Sequence, residues 1–251
     1  MLNIAQNIIQ LNNQLYDASY SEEDITRLNA AYPVCIKLFS CKYRGNGKCF
    51  ISHLIGTAGI LAHLQQPIDA IIAAMLHAAY IQGDFNNLRR RFSATNRKYL
   101  ARKTSNAIEA LVANYTKMKF NDDTIAKYIE GPEIPETEKI ILIMRLANEL
   151  DDYSDLARLY CPGNDHILNN LDMQKSLMVG LSNKLSQPEL AASFSDIIEK
   201  YKQNMTTRMF PNAISYSYSK PSNIYSYKLI SGIRFTMRYF YRKVRAHKKA
   251  R

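Results

Sequence analysis

Apolar residues recur at intervals of three and four positions along most of this chain, which is the spacing of one face of an α-helix. The N-terminal segment shows the pattern in Ile4, Ile8, Leu11 and Leu15. A second helix is predicted to begin after Ser21, because a serine followed by acidic residues is typical of a capped helix start. Both segments are therefore predicted to be amphipathic helices.

The same periodicity predicts further helices along the chain. They cover approximately residues 50–64, 67–80, 104–119, 122–130, 136–159, 166–185 and 188–209. No segment shows the sustained two-residue alternation of a half-buried β-strand, and the sequence contains no internal repeat. The fold class predicted for the body of the chain is therefore all-α, a single multi-helix domain.

The helical pattern stops near residue 210, where the composition changes. Residues 211–227 (PNAISYSYSKPSNIYSY) are rich in Ser, Tyr, Asn and Pro, which is typical of a linker. A loop that packs on the domain through its tyrosines is the alternative. The predicted organisation is a helical domain over residues 1–210, a linker over 211–227 and a tail over 228–251.

The net charge of +11 is concentrated in this tail. Residues 228–251 hold nine Lys and Arg residues and no Asp or Glu, which leaves a net charge of only +2 for residues 1–227. A basic appendage of this kind usually meets a membrane surface, a nucleic acid or an acidic partner.

At 100° per residue the tail is predicted to form an amphipathic helix. Its apolar face holds Ile230, Ile233, Met237, Phe240, Tyr241 and Val244. An adjacent basic stripe holds Arg234, Arg238, Arg242, Arg245 and Lys249. Such a helix can lie on an anionic membrane surface, with its arginines at the headgroups. The alternatives are docking of the apolar face onto the domain, and nucleic-acid binding with base stacking on Phe235 and Tyr239.

The sequence favours a location inside the cell. No stretch approaches 18 uninterrupted apolar residues, and the N-terminus lacks the positive start and cleavage site of a signal peptide. Four cysteines without an export signal indicate reduced thiols. We expect a cytoplasmic protein, with peripheral association at the inner face of the membrane through the tail.

Three segments carry the candidate chemistry. Residues 52–61 (SHLIGTAGIL) place His53 in an apolar helix, and residues 67–77 (PIDAIIAAMLH) end a second helix with His77. Residues 145–152 (RLANELDD) belong to a late helix. In this order and spacing the segments resemble the HD-domain hydrolases, most closely the hydrolase domain of the RelA/SpoT alarmone enzymes. The resemblance implies a helical domain in which histidines and aspartates hold one or two metals that polarise a phosphate and activate a water.

The resemblance covers about residues 30–160, and it fails at the carboxylates. His53 and His77 match the first two ligand histidines, but Ala78 stands where an aspartate is expected after the second one. Asn148 stands at the position of the last aspartate. A divalent cation held by two imidazoles and an amide lacks most of its charge compensation. We therefore expect no ordinary metal-dependent hydrolase.

The leading hypothesis is a non-hydrolytic HD-related domain that binds a small anionic ligand or a protein partner. Its pocket is predicted to be lined by His53, His77, Tyr80, Asp84 and Asn148. No cofactor is expected in such a domain.

An enzyme with a rearranged metal site is the first alternative, either a phosphohydrolase or an oxygenase that holds iron, manganese or zinc. Asp84 follows the second histidine, and Asp151 and Asp152 lie one helical turn beyond the position of the last aspartate. Asp84 and either Asp151 or Asp152 could join His53 and His77 around a metal. The plainer interpretation is that Asp84 caps the following helix and that the two late acids are surface charges.

Two other features allow further hypotheses. Cys35, Cys41, Cys49 and His53 are four potential zinc ligands, although no two of the cysteines have the short spacing of most structural zinc sites. A second basic patch begins at residues 89–91 (RRR). It indicates either attraction of an anionic substrate at the mouth of a pocket or a helix face exposed to solvent. A nucleic-acid-associated protein that binds through residues 228–251 is the last alternative.

Overall fold

A computed structural model describes residues 4–44, 48–85, 92–160 and 165–204 of the protein. The described part is helical and contains no strand, only an isolated antiparallel bridge between Tyr43 and Cys49. The α-helices are α1 (Ile8–Asp17), α2 (Glu22–Phe39), α3 (Phe50–His63), α4 (Ile68–Met75), α5 (Ala79–Gln82), α6 (Ala94–Lys103), α7 (Asn106–Lys117), α8 (Asp122–Glu130), α9 (Glu136–Tyr153), α10 (Asp165–Leu168), α11 (Leu171–Lys184) and α12 (Pro188–Asn204). A 3₁₀-helix, Ser154–Tyr160, continues directly from α9. The all-α prediction is confirmed.

Side-chain caps fix where several of these helices begin. The side chain of Ser21 accepts a hydrogen bond from the backbone N–H of Asp24, so the predicted start of α2 is confirmed. Asn121 and Thr124 form a reciprocal capping box at the start of α8. Each cap satisfies backbone donors that have no partner within the helix.

Helix α3 lies at the centre of the first half of the fold. Its residues from His53 to Ala62 are all buried, and it packs against α1, α4 and α9. A helix that is apolar on all sides is expected at such a position. The two histidine-bearing segments therefore approach the late helix α9 inside the core.

Helices α8, α11 and α12 form a second group, in which α11 packs against α8 and α12, and both α11 and α12 contact α9. The core there includes Phe194, Ile198 and Tyr201 of α12, all fully buried. The Tyr201 hydroxyl donates to the carbonyl of Tyr153 at 3.1 Å and accepts from the backbone N–H of Arg158 at 3.0 Å. This tyrosine thus ties the end of α9 and the following 3₁₀-helix to α12.

Three predicted helices are interrupted in the structure, and the one over residues 166–185 is divided into α10 and α11. The helix expected over residues 67–80 ends at Met75, and Tyr80 lies in the separate short helix α5. The helix expected over residues 136–159 changes to 3₁₀ geometry after Tyr153. Helix α6 was not predicted from apolar periodicity, because only Asn96 and Leu100 of its residues are buried.

The linker predicted over 211–227 and the tail over 228–251 lie outside the described residues, as does the patch at 89–91. The domain predicted to end at 210 is described as far as Asn204, at the end of α12. Among the described helices, none combines the length and the apolar character that crossing a bilayer requires.

Candidate functional site

The segments that carry His53, His77 and Asn148 meet in the core. His53 lies on α3 and is fully buried, and His77 lies in the turn after α4 with 3% of its surface exposed. The two imidazole rings meet edge to face, with centroids 5.4 Å apart. Asn148 of α9 lies beside His53, with its amide oxygen 3.1 Å from Nε2. Three of the five predicted pocket residues are therefore neighbours.

The orientation of the His53 ring is fixed by Asp151 of α9. Nδ1 of His53 donates to Oδ2 of Asp151 at 2.7 Å, and both side chains are fully buried. With its proton on Nδ1, the ring presents a lone pair at Nε2. That nitrogen accepts from Nη1 of Arg44 at 3.1 Å. His53 is thus held between a carboxylate and a guanidinium.

His77 is oriented in the same sense by the backbone. Its Nδ1 donates to the carbonyl of Ala74 at 2.7 Å, so Nε2 carries the lone pair. Burial, followed by the nearby charge of His53, holds the pKa of His77 well below the ordinary value for a histidine. His77 is therefore neutral at pH 7. Ligand histidines are typically oriented by such a hydrogen bond at the second ring nitrogen.

Two cations from the segment before α3 cover the carboxylates of α9. Nη2 of Arg44 donates to both oxygens of Asp152, and Nζ of Lys48 donates to Oδ1 of Asp151 at 2.8 Å. The side chains of Arg44 and Lys48 are 24% and 15% exposed, so they lie at the edge of the cluster. Two buried or half-buried carboxylates are thus matched by two protein cations, as buried charges generally require.

Gly56 permits the approach of Asp151 to α3. A Cβ atom at Gly56 would lie 2.1 Å from Oδ1 of Asp151, a distance that no side chain can tolerate. Sequence reasoning missed this residue and also Arg44 and Lys48. A glycine one turn after His53 in an apolar helix was the available signal, because such a glycine often marks a close approach.

The residues present do not fit the metal site that the HD resemblance implies. Ala78 is buried and offers no oxygen. A group that could hold a metal does occur in the described part of the chain, with ligand atoms of His53, Asp151 and Asp152 all within 4.8 Å of one another. Its carboxylates are already paired with the guanidinium of Arg44 and the ammonium of Lys48.

The prediction that Asp151 and Asp152 are surface charges is wrong. The Asp151 side chain is fully buried, and the Asp152 side chain is 16% exposed. Helix α9 is wrapped on several sides by other helices, so positions that look solvated in sequence lie in the interior.

Tyr80 and Asp84 were expected in the same pocket, but the contacts of Tyr80 lie elsewhere. The Tyr80 hydroxyl donates to Oε1 of Glu109 at 2.8 Å, and its ring packs between Phe85 and Phe92. Asp84 is buried, but it does not belong to the group of potential metal ligands around His53. The next helix in the described part of the chain is α6, and its N-terminal cap is Ser93 rather than Asp84.

Glu109 is the centre of this separate polar cluster. Arg97 donates to its two oxygens at 2.7 and 2.8 Å. Burial alone would raise the pKa of Glu109, but the hydrogen bonds from Arg97 and Tyr80 and the charge of Arg97 more than offset it, so the pKa is lowered. The cluster ties α5, α6 and α7 together and is adequately explained as a structural ion pair.

The hypothesis of a zinc site formed by the cysteines and His53 is also wrong. Cys35 is buried in α2, whereas Cys41 and Cys49 are exposed. Within the described ranges, no potential metal-binding group includes a cysteine. Burial also raises the pKa of the Cys35 thiol, which disfavours the thiolate that zinc requires.

Two surface cavities lie away from the histidines. One of about 660 Å³ is lined by residues of α7, α8 and the segment before α9, including Lys117, Lys127 and Tyr128. Another of about 470 Å³ lies between α8, α9 and α11 and is lined by Asp122 and Glu149 among others. Neither cavity is lined by His53 or His77.

Comparison with known protein families finds a match for part of the chain. A family model described as a domain of unknown function, DUF6817, matches residues 39–119, about a third of the chain. The matched residues include Arg44, His53 and His77 but not the α9 side chains. No curated protein matches the chain.

Proposed function

We propose that the protein is a non-hydrolytic HD-related domain that binds a small anionic ligand beside His53. The observation that carries the proposal is the position of Arg44. Its guanidinium lies against Nε2 of His53 and pairs with Asp152, so a protein side chain supplies the positive charge at this site. A hydrolytic metal would need that same nitrogen and additional carboxylates.

The chemistry of the remaining donors supports a binding role. Ala78 and Asn148 replace the two carboxylates that HD hydrolysis requires, and the acids of α9 are engaged by cations of the protein. Metal-assisted attack of water on a phosphate therefore lacks its usual ligand set. A neutral His77 and a hydrogen-bonded His53 suit the recognition of a ligand better than its hydrolysis.

The edge of the cluster supports an anionic ligand. Arg44 and Lys48 are partly exposed, and a planar guanidinium binds phosphate or carboxylate groups through paired N–H donors. An incoming anion would compete with Asp152 for Arg44. A protein partner that presents an acidic side chain would use the same donors.

The first test is metal content together with anion binding. We expect the purified protein to hold no stoichiometric iron, manganese or zinc by plasma mass spectrometry, and to bind inorganic pyrophosphate in a calorimetric titration. A His53→Ala, His77→Ala double variant should lose this binding, because alanine removes the acceptor that orients Arg44. Circular dichroism would establish that the variant is folded.

A metal-dependent enzyme is the second candidate, and a specific observation favours it. Ligand atoms of His53, Asp151 and Asp152 are within 4.8 Å of one another, and both imidazoles present Nε2 lone pairs. One equivalent of metal in the purified protein, lost in the double variant, would contradict the binding proposal. Phosphohydrolase and oxygenase assays would then follow.

We also propose that the tail places the protein at the cytoplasmic face of a membrane. The basis is the sequence pattern alone, in which Arg234, Arg238, Arg242, Arg245 and Lys249 flank an apolar face. Each cation near an anionic bilayer contributes roughly 1 kcal/mol, so five of them would give strong attraction that salt weakens.

Vesicle sedimentation tests this second proposal. We expect the protein to sediment with vesicles that contain phosphatidylserine and to remain in solution with phosphatidylcholine vesicles. A chain that ends at residue 227 should stay in solution with both. Equal behaviour of the two chains would contradict the proposal, and steeply salt-dependent RNA binding that requires residues 228–251 would favour the nucleic-acid alternative.

A further inference from the structure

We infer that Arg44 is a built-in replacement for a divalent cation, and that loss of this single side chain opens a metal site at His53. The inference rests on the proposed metal-free state of the protein and explains how that state is maintained. It concerns the contact between the segment before α3 and the buried imidazole.

Nε2 of His53 lies 3.1 Å from the amide oxygen of Asn148, while Nδ1 of the same ring donates to Asp151. With the ring proton on Nδ1, the lone pair of Nε2 and the amide oxygen both favour a positive group beside them. Nη1 of Arg44, at 3.1 Å from Nε2, supplies that group.

The charges around the site lead to the same conclusion. Asp151 is paired with Lys48 and Asp152 with Arg44, so the two negative and two positive charges of these four side chains balance. Removal of the guanidinium leaves the Asp152 carboxylate, the His53 lone pair and the Asn148 oxygen together without their cation. A divalent metal bound by one imidazole and one carboxylate, with an amide and waters, satisfies all three donors.

A metal and Arg44 exclude each other for two reasons. The lone pair on Nε2 can serve only one of them, and two positive groups within a few ångströms repel strongly in a poorly solvated site. His77 has its ring centroid 5.4 Å from that of His53 and would stand ready as a further ligand, since its Nδ1 proton is held by Ala74.

Cobalt and zinc titrations of Arg44 variants test the inference. We expect Arg44→Ala to bind Co²⁺ at least about tenfold more tightly than the unaltered chain, the scale on which neighbouring groups change metal affinity. The bound Co²⁺ should show visible absorption bands, and Zn²⁺ should displace it. Adding His53→Ala to Arg44→Ala should return the affinity to that of the unaltered chain.

Two further variants control for charge and folding. Arg44→Met keeps much of the side-chain length without the charge, and it should gain Co²⁺ affinity as Arg44→Ala does. It provides the test if Arg44→Ala fails to fold. Arg27→Ala removes an arginine from the partly exposed pair with Asp69 and should leave Co²⁺ affinity unchanged.

The outcomes distinguish a failure of the proposed function from a failure of this inference alone. If the unaltered chain already holds stoichiometric metal, the proposed metal-free function and this inference both fail. If it is metal-free but folded Arg44→Ala and Arg44→Met gain no affinity, the inference alone fails. A gain that persists without His53 would place the metal elsewhere and would also overturn the inference.

Discussion

Replacing Asp151 by alanine is expected to destabilise the protein by about 3–5 kcal/mol, the range measured when one partner of a buried ion pair is removed. Its carboxylate is fully buried and accepts from His53 Nδ1 at 2.7 Å and from Lys48 Nζ at 2.8 Å. Alanine takes the acceptor away from a buried N–H and the counter-charge away from an ammonium. For a chain of this size the melting temperature should fall by roughly 10 °C.

Thermal and urea unfolding with matched variants would measure this effect. Asp172→Ala is the control, because Asp172 pairs with Lys202 but is 89% exposed in its side chain, and exposed pairs contribute little. Asp151→Asn keeps an acceptor without the charge and should fall between the two. Equal melting temperatures for Asp151→Ala and Asp172→Ala would show that the buried pair is not as described.

A methyl group at Gly56 is expected to cost about 1–3 kcal/mol, as overpacking of a core usually does. The added Cβ would lie 2.1 Å from Oδ1 of Asp151, so either α3 and α9 must separate or the carboxylate must leave its partners. The variant should therefore lose both stability and pyrophosphate binding. Ordinary helix propensity would favour alanine over glycine, so a loss would identify the contact as the cause.

Gly180 in α11 offers a matched control for Gly56. A Cβ there would meet Cδ1 of Ile129 at 3.0 Å, the end of a flexible side chain that can move. Gly180→Ala should be close to neutral in urea unfolding, or slightly stabilising through the helix propensity of alanine. If Gly56→Ala were as well tolerated as Gly180→Ala, the close approach of α9 to α3 would be wrong.

Local signals were sufficient for most of the helices. Residues 122–130 were predicted as a helix with the bounds that α8 has, and Asn121 and the acidic first turn are local signals of its start. The break after Met75 could not be predicted, since Leu76, His77 and Ala78 contain no helix-breaking residue. The carbonyl of Ala74 accepts from the side chain of His77, a contact that apolar periodicity does not encode.

The site was predicted only in part, because several of its contacts join residues that are far apart in the sequence. His53 and His77 were identified because they lie at recognisable positions of apolar helices. Arg44 contacts Asp152 across 108 positions, and Lys48 contacts Asp151 across 103. A Lys or Arg in a polar segment is predicted from sequence to be exposed to solvent. Only the packing of α9 on α3 shows which carboxylate it pairs with.

Tyr80 shows the converse error, in which a residue was assigned to the site but makes its contacts elsewhere. A single helix over residues 67–80 would place it one turn after His77. The helix instead breaks before α5, and the hydroxyl donates to Glu109. An error in one helix boundary was enough to assign the side chain to the wrong cluster.

The Tyr201 hydroxyl, which joins α12 to the end of α9, has a practical consequence for anyone who shortens this protein. Residues 39–119 correspond to a recognised family segment, yet that segment alone would carry His53 without the acids that orient it. A fragment ending before α12 would keep those acids but lose the hydrogen bonds that hold the carbonyl of Tyr153 and the N–H of Arg158. The smallest piece worth expressing for work on this site therefore extends from α1 through Asn204.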